Sequence, residues 1–182
     1  MMKRSNMLAP ILGRFGIVPT SARFPNAILR THRNAAVRFY QDLVHDRVVG
    51  ISFMYTRCEG RCPLTIAGLR ALQEALGPRA GRDVFLYSIT LDPVFDTPRV
   101  LKDYAAVVGA GPGWTFLTGS AHDIESIRQR LGFVDPDPKL DADKSQHAGL
   151  ILFGNDRTDQ WVACPALLKT ERILRVLTRI AG

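Results

Sequence analysis

The stretch from Arg47 to Thr56, RVVGISFMYT, constrains the fold of this chain more than any other. It is a nearly unbroken run of strand-forming apolar residues without polar alternation, so it reads as a strand buried on both faces. Such a strand belongs in the middle of a covered sheet. Asp83 to Leu91, DVFLYSITL, is a second strand of the same kind. Between them Pro63 opens a helix whose apolar face is Leu64, Ala67, Leu69, Leu72 and Leu76, stopped at Gly77-Pro78.

The rest of the chain continues this alternation. NAILRT and AAVRF flank a His32-Arg33-Asn34 turn and predict a small hairpin, and RFYQDLVHD a short helical connection. Thr97 can cap a helix that begins at Pro98 and faces Val100, Leu101, Tyr104 and Val108 inward. WTFLTG is a third, short strand. Ser120 and Asp123 then form a capping box ahead of a helix buried through Ile124, Ile127 and Leu131. FVDPDPKLDADKSQ reads as a polar loop of functional or lid-like length. HAGLILF and QWVAC predict a hairpin turning at Gly154-Asn155-Asp156, before an amphipathic helix with Ile173, Leu174, Leu177 and Ile180 inside. Strands alternating with helices imply a mostly parallel central sheet, to which the closing hairpin adds antiparallel strands.

The 182 residues suit one domain, and 46% hydrophobic with 23% charged residues is the composition of a globular protein. The net charge of +7 is misleading as a nucleic-acid signal. Seven of the 24 basic residues lie within residues 1–40, which contain no acid, leaving 17 against 17 acids in the body. No basic helix or aromatic-basic stripe follows, so nucleic acid is not an expected partner. Residues 1–22 read as a basic arm or leader remnant, and 23–182 as the domain. No apolar run reaches the length of a membrane span, which leaves peripheral membrane association open.

Chemistry concentrates in TRCEGRCPLT. Cys58 and Cys62 lie four positions apart where the first buried strand gives way to its helix, the thioredoxin arrangement. The fold is therefore expected to be thioredoxin-like α/β: a central mixed sheet flanked by helices, with an N-terminal hairpin and a C-terminal β-hairpin plus helix. Cys62 sits at the helix N-terminus, where unpaired N–H groups and Arg61 would favour its thiolate. The three-residue spacer opens the loop enough for the two sulfurs either to bond to each other or to share a metal. Two thiolates under-coordinate a soft ion, and His147, directly before a buried strand, is the candidate third ligand. Two sulfurs and one imidazole suit Cu(I) and tolerate Cu(II), whereas structural zinc needs a fourth ligand. The bland alternatives are inert half-buried thiols and a surface histidine. Cys164 reads as a buried small hydrophobe, Asp92 and Asp96 as turn and cap residues, and His32, His45 and His122 as uninvolved.

FMYTRCEGRCPLT, LDPVFDTP, WTFLTGS and the His147 that opens HAGLILFGND, in that order, resemble the Sco/SenC family of copper chaperones. The resemblance runs from about Arg23 to the C-terminus. It implies a thioredoxin-like protein in the periplasm facing the inner membrane, or in the mitochondrial intermembrane space of a eukaryote. It further implies copper ligands Cys58, Cys62 and His147, a cysteine pair that cycles between dithiol and disulfide, and a copper-receiving subunit of cytochrome c oxidase as client. The chain departs from the family at Glu59-Gly60, where Pro-Asp is common, and at Gln146, where Asp is common. A family-type N-terminal membrane anchor is expected to be missing or much reduced.

Two other classes compete on the same residues. A metal-free thiol–disulfide oxidoreductase would attack through Cys58, resolve through Cys62 and exchange with a thiol–disulfide partner; otherwise the chain is not expected to be a dedicated enzyme. A peroxidase of this fold would place its threonine two residues further from the attacking cysteine than Thr56 is from Cys58, with an upstream proline. Neither feature is present.

Overall fold

The computed structural model describes residues 24–60, 62–143 and 149–181. The basic arm, Arg61, His147 and the expectations attached to them lie outside these residues. The strands are β1 (Ile28–Thr31), β2 (Ala36–Arg38), β3 (Val48–Met54), β4 (Val84–Thr90), β5 (Trp114–Gly119), β6 (Leu150–Asn155) and β7 (Gln160–Pro165). They form one seven-stranded sheet in the order β2-β1-β5-β4-β3-β6-β7. The β3–β4 and β4–β5 pairings are parallel, and both hairpins join antiparallel. The sheet is thus mixed, with its parallel part confined to the three middle strands.

Every residue of β3 is buried, as the apolar run requires. Side chains alternate across the sheet. Val48 and Met54 enter the core beneath α1 (Cys62–Leu76), α2 (Pro98–Val107) and α5 (Thr170–Ala181). Val49, Ile51 and Phe53 enter the opposite core, covered by α3 (Ala121–Arg130) and a π-helical turn, Phe39–Val44. Gly50 leaves room for Phe153 of β6: a Cβ there would stand 2.6 Å from that ring. At the sheet's centre Trp114 Nε1 donates to Ser88 Oγ at 3.0 Å, and Ser88 Oγ lies 3.1 Å from Ser52 Oγ, satisfying three buried polar groups.

Thr97 and Ser120 cap α2 and α3 as expected, accepting from the main-chain N–H of Val100 and Asp123. Three expectations are corrected. The buried face of α1 is Cys62, Thr65, Ile66, Leu69, Leu72 and Leu76, with Leu64 and Ala67 turned out. The helix begins one residue earlier than Pro63, and its helical repeat runs back from Leu76 through Leu69 to Thr65 and Cys62. The β6–β7 turn lies at Asp156–Thr158, closed by Asp159 in the left-handed region, because Gly154 and Asn155 still pair with Trp161 and Gln160.

The expected polar lid is not a free loop. Phe133 is buried against Phe53, ring centroids 4.8 Å apart, and α4 (Pro138–Ala142) follows. Arg128, buried at the end of α3, forks to both oxygens of Glu125 and both of Asp141 at 2.7–2.8 Å and donates to the Phe133 carbonyl at 2.7 Å. Among the described residues no helix is long and apolar enough to cross a membrane. Arg128→Ala takes the buried guanidinium's bonds from two partly exposed carboxylates and a carbonyl and should cost about 2–3 kcal/mol in urea unfolding. Arg128→Lys should recover less than half, because an ammonium cannot reproduce the planar fork.

Candidate metal and redox centre

The site grows from the end of β3. Past Met54 the chain turns, Cys58 N–H donating to the Tyr55 carbonyl at 3.2 Å, and re-enters as α1 at Cys62. The two thiols are free and buried, 6% and 1% exposed, and are hydrogen-bonded to each other. The structure thus brings together the two cysteines named from the sequence. Cys164 is buried in the same core, on β7 opposite Ile151.

Their acidities are opposite to the expectation. Burial pushes the Cys58 thiol up, but donation from Cys62 Sγ–H, from the Cys62 and Gly60 main-chain N–H groups and from the Tyr55 hydroxyl outweighs it, and the net shift is downward. Burial, then the hydrogen bond to Cys58, pushes Cys62 up to about 12. The Cys62 N–H at the start of α1 thus favours both thiolates, but only at Cys58 does donation outweigh burial. Two tyrosines line the pair. Burial, followed by hydrogen bonding and charge at Cys58, pushes Tyr55 up to about 12, and burial followed by both cysteines raises Tyr104 to about 12.

LDPVFDTP, read as turn and cap, braces the cysteine loop. Asp96 is fully buried and accepts from the Thr56 N–H at 3.1 Å and from the hydroxyls of Thr56 and Thr90. Arg57 donates to Asp92 at 2.7 Å and lies over the Phe95 ring, 4.0 Å from its centroid. Both residues that lead into Cys58 are thus held from one segment. The signal in the sequence was an aspartate flanked by Phe and Thr-Pro after a buried strand, which a cap alone does not require. Asp143, past α4, acts on the Tyr55 hydroxyl, so the chain on its way to His147 comes up to the cysteine loop. Among the described residues no three His, Cys, Asp or Glu side chains gather at a metal-binding spacing.

The sheet order, the strand-to-helix junction and the paired thiols define a thioredoxin-like domain with a C-x-x-x-C centre. A profile of the SCO1/SenC family matches residues 31–181, and the chain belongs to that family. A protein of Stutzerimonas stutzeri named "Putative copper-binding protein" is 34% identical over 133 residues, which cover 70% of this chain and 63% of that one. The chain therefore spans less than two thirds of that relative's length. Among solved structures, Bradyrhizobium japonicum ScoI with copper bound aligns at a TM-score of 0.66 and 22% identity, covering 86% of this chain and 99% of the other. BsSco, described as a member of the Sco family of cytochrome c oxidase assembly proteins with a disulfide switch, aligns at 0.70 and 21%, covering 87% and 94%.

Limiting iodoacetamide should label Cys58 before Cys62 in the reduced protein, with a reactivity midpoint below the free-thiol value of about 8.5. Cys62→Ala removes a donor and should raise that midpoint; mass-spectrometric mapping against pH checks both. Asp96→Ala orphans an N–H and two hydroxyls and should lower stability by on the order of 2–4 kcal/mol in urea unfolding.

Proposed function

We propose that this domain is a metallochaperone that binds copper through Cys58, Cys62 and His147 and delivers it to a copper-receiving subunit of a respiratory oxidase. The observation that carries this reading is the pair of buried, mutually hydrogen-bonded thiols at the β3–α1 junction. Sulfurs held together and withdrawn from water are soft donors suited to Cu(I) and compatible with Cu(II). Copper is cargo here, so the site must release as well as hold it. Cys58 is poised to give up its proton first, and Cys62 keeps its own until a bound cation lowers its pKa.

His147 as third ligand is supported by its place in the chain. It follows Asp143, whose charge reaches Tyr55, and precedes Gly149, whose carbonyl accepts from Ala166 N–H at 2.8 Å beside the start of β6. Family membership and the copper-bound ScoI support the choice of metal, and BsSco supports the oxidase client. The family also supports a location in the cell envelope, at the outer side of the inner membrane or in the mitochondrial intermembrane space. Anaerobic copper titration of the reduced protein, followed by absorption, should show one copper per chain. Cys58→Ser, Cys62→Ser and His147→Ala should each lose tight binding, and retention in all three overturns the reading.

The unequal acidities favour a second reading, metal-free thiol–disulfide exchange. The Cys58 thiolate attacks a partner disulfide and releases one partner thiolate. Cys62, losing its proton as it attacks Cys58, displaces the other, leaving a Cys58–Cys62 disulfide and a reduced partner. Under this reading His147→Ala keeps full exchange activity in an insulin-reduction assay and copper has no effect on it. Loss of activity in His147→Ala, or no activity in the wild type, excludes it.

A further inference from the structure

A cleft of about 630 Å³ lies away from the cysteines, between the β1–β2 turn and the first turns of α2. His32 and Arg33 line it from one side, and Thr97, Arg99, Lys102 and Asp103 from the other. Three cations face one carboxylate, a surplus of two positive charges. Of the other exposed arginines, Arg38 holds Asp42, Arg57 holds Asp92, Arg70 holds Glu74 and Arg82 holds Asp83, while Arg172, Arg175 and Arg179 of α5 line a smaller cleft of about 360 Å³ that offers no imidazole. Arg33, Arg99 and Lys102 hold no acid among the described residues. Like charges gathered without counter-charge repel, and a bound anion relieves that repulsion.

The wall that carries Arg33 is rigid. Thr31 Oγ1 accepts from the N–H groups of Arg33 and Ala35 at 3.2 and 3.1 Å, and Arg30 donates to Asn34, which sits at φ 63°. His32 is fixed as well. Its N–H donates to the Phe116 carbonyl at 2.8 Å, and its Nδ1 accepts from Phe116 N–H at 3.2 Å. The neutral ring therefore carries its proton on Nε2, which makes it a donor.

The geometry points to an anion site, in which His32, Arg33, Arg99 and Lys102 together bind a dianionic tetrahedral oxyanion of the phosphate class. The charge surplus matches a dianion, and the imidazole adds a directional hydrogen bond to three long, adaptable cations. Thr97 and Pro98 of the cleft follow directly on Asp96, which holds Thr56, so an occupied cleft adjoins the segment that braces the cysteine loop. Burial, then Arg33, then Lys102 lower the basicity of His32 in the empty cleft. A dianion cancels the surplus charge of the cleft, and because Phe116 N–H occupies Nδ1 the ring stays a neutral donor through Nε2.

Sulfate is the decisive probe, because it is a tetrahedral dianion throughout the neutral range. Calorimetric titration of the full chain at constant ionic strength should show one saturable site, and the His32 ring resonances should move as sulfate saturates it. Arg99→Ala with Lys102→Ala should weaken binding about tenfold, whereas Arg172→Ala with Arg175→Ala on α5 should leave it unchanged. Flotation with phosphatidic acid vesicles separates the sources. Vesicle binding displaced by free phosphate assigns the cleft to a lipid headgroup, and phosphate binding without flotation assigns it to a soluble ligand. Non-saturating sulfate binding, unmoved His32 resonances, equal loss in the α5 variant, or preference for malonate over sulfate overturns the proposal.

Discussion

Burial of β3 on both faces is the constraint from which the rest follows. A strand hydrogen-bonded to β4 and β6 and packed against a core on each side has no freedom to slip, since a one-residue shift would exchange its two side-chain sets. Its carboxyl end is therefore fixed, and so is the point at which Cys58 leaves the sheet. The crossover to β4 requires a helix, and the two-layer core requires that helix to lie above Met54. Both cysteines are placed by these demands before any interaction specific to sulfur is considered.

On that frame the electrostatics of the pair are set by who donates to whom. The free N–H groups at a helix start stabilise negative charge on whichever acceptor reaches them. Here the turn folds Cys58 back over the start of α1, so that donation outweighs burial at Cys58 while burial prevails at Cys62. Burial and donation together thus make two chemically identical side chains unequal. Asp96 and the Arg57–Asp92 pair keep the turn in the shape that this asymmetry needs.

Much of this was legible in the residues. The continuous apolar runs gave the buried strands, and Thr97-Pro98 and Ser120-x-x-Asp123 gave two helix starts at the correct residue. C-x-x-x-C at the strand end gave the paired thiols. Contacts distant in sequence were not legible. Pro63 marks a helix start well but does not say that Cys62 already belongs to it, and this rotates the buried face from Leu64 and Ala67 to Thr65 and Ile66. Asp96 looks like any turn aspartate until β3 and β4 bring Thr56 and Thr90 to it. The direction of the cysteine asymmetry depends on the fold of a five-residue turn, which spacing alone leaves open.

The Arg128 fork shows how a distant residue can be delivered to this centre. Along the sequence His147 is 85 positions from Cys62, a separation at which chance encounter in a loose chain is costly. By tying Glu125, Phe133 and Asp141 to one guanidinium, the protein ends that long excursion near Asp143. The start of β6 holds the chain again at Gly149. Five positions of sequence separate the two moorings. Local concentration is governed by such short spans rather than by total chain length. Under the proposed function, His147 is in this sense an intramolecular ligand, supplied to the thiols at an effective concentration that only the folded state can reach.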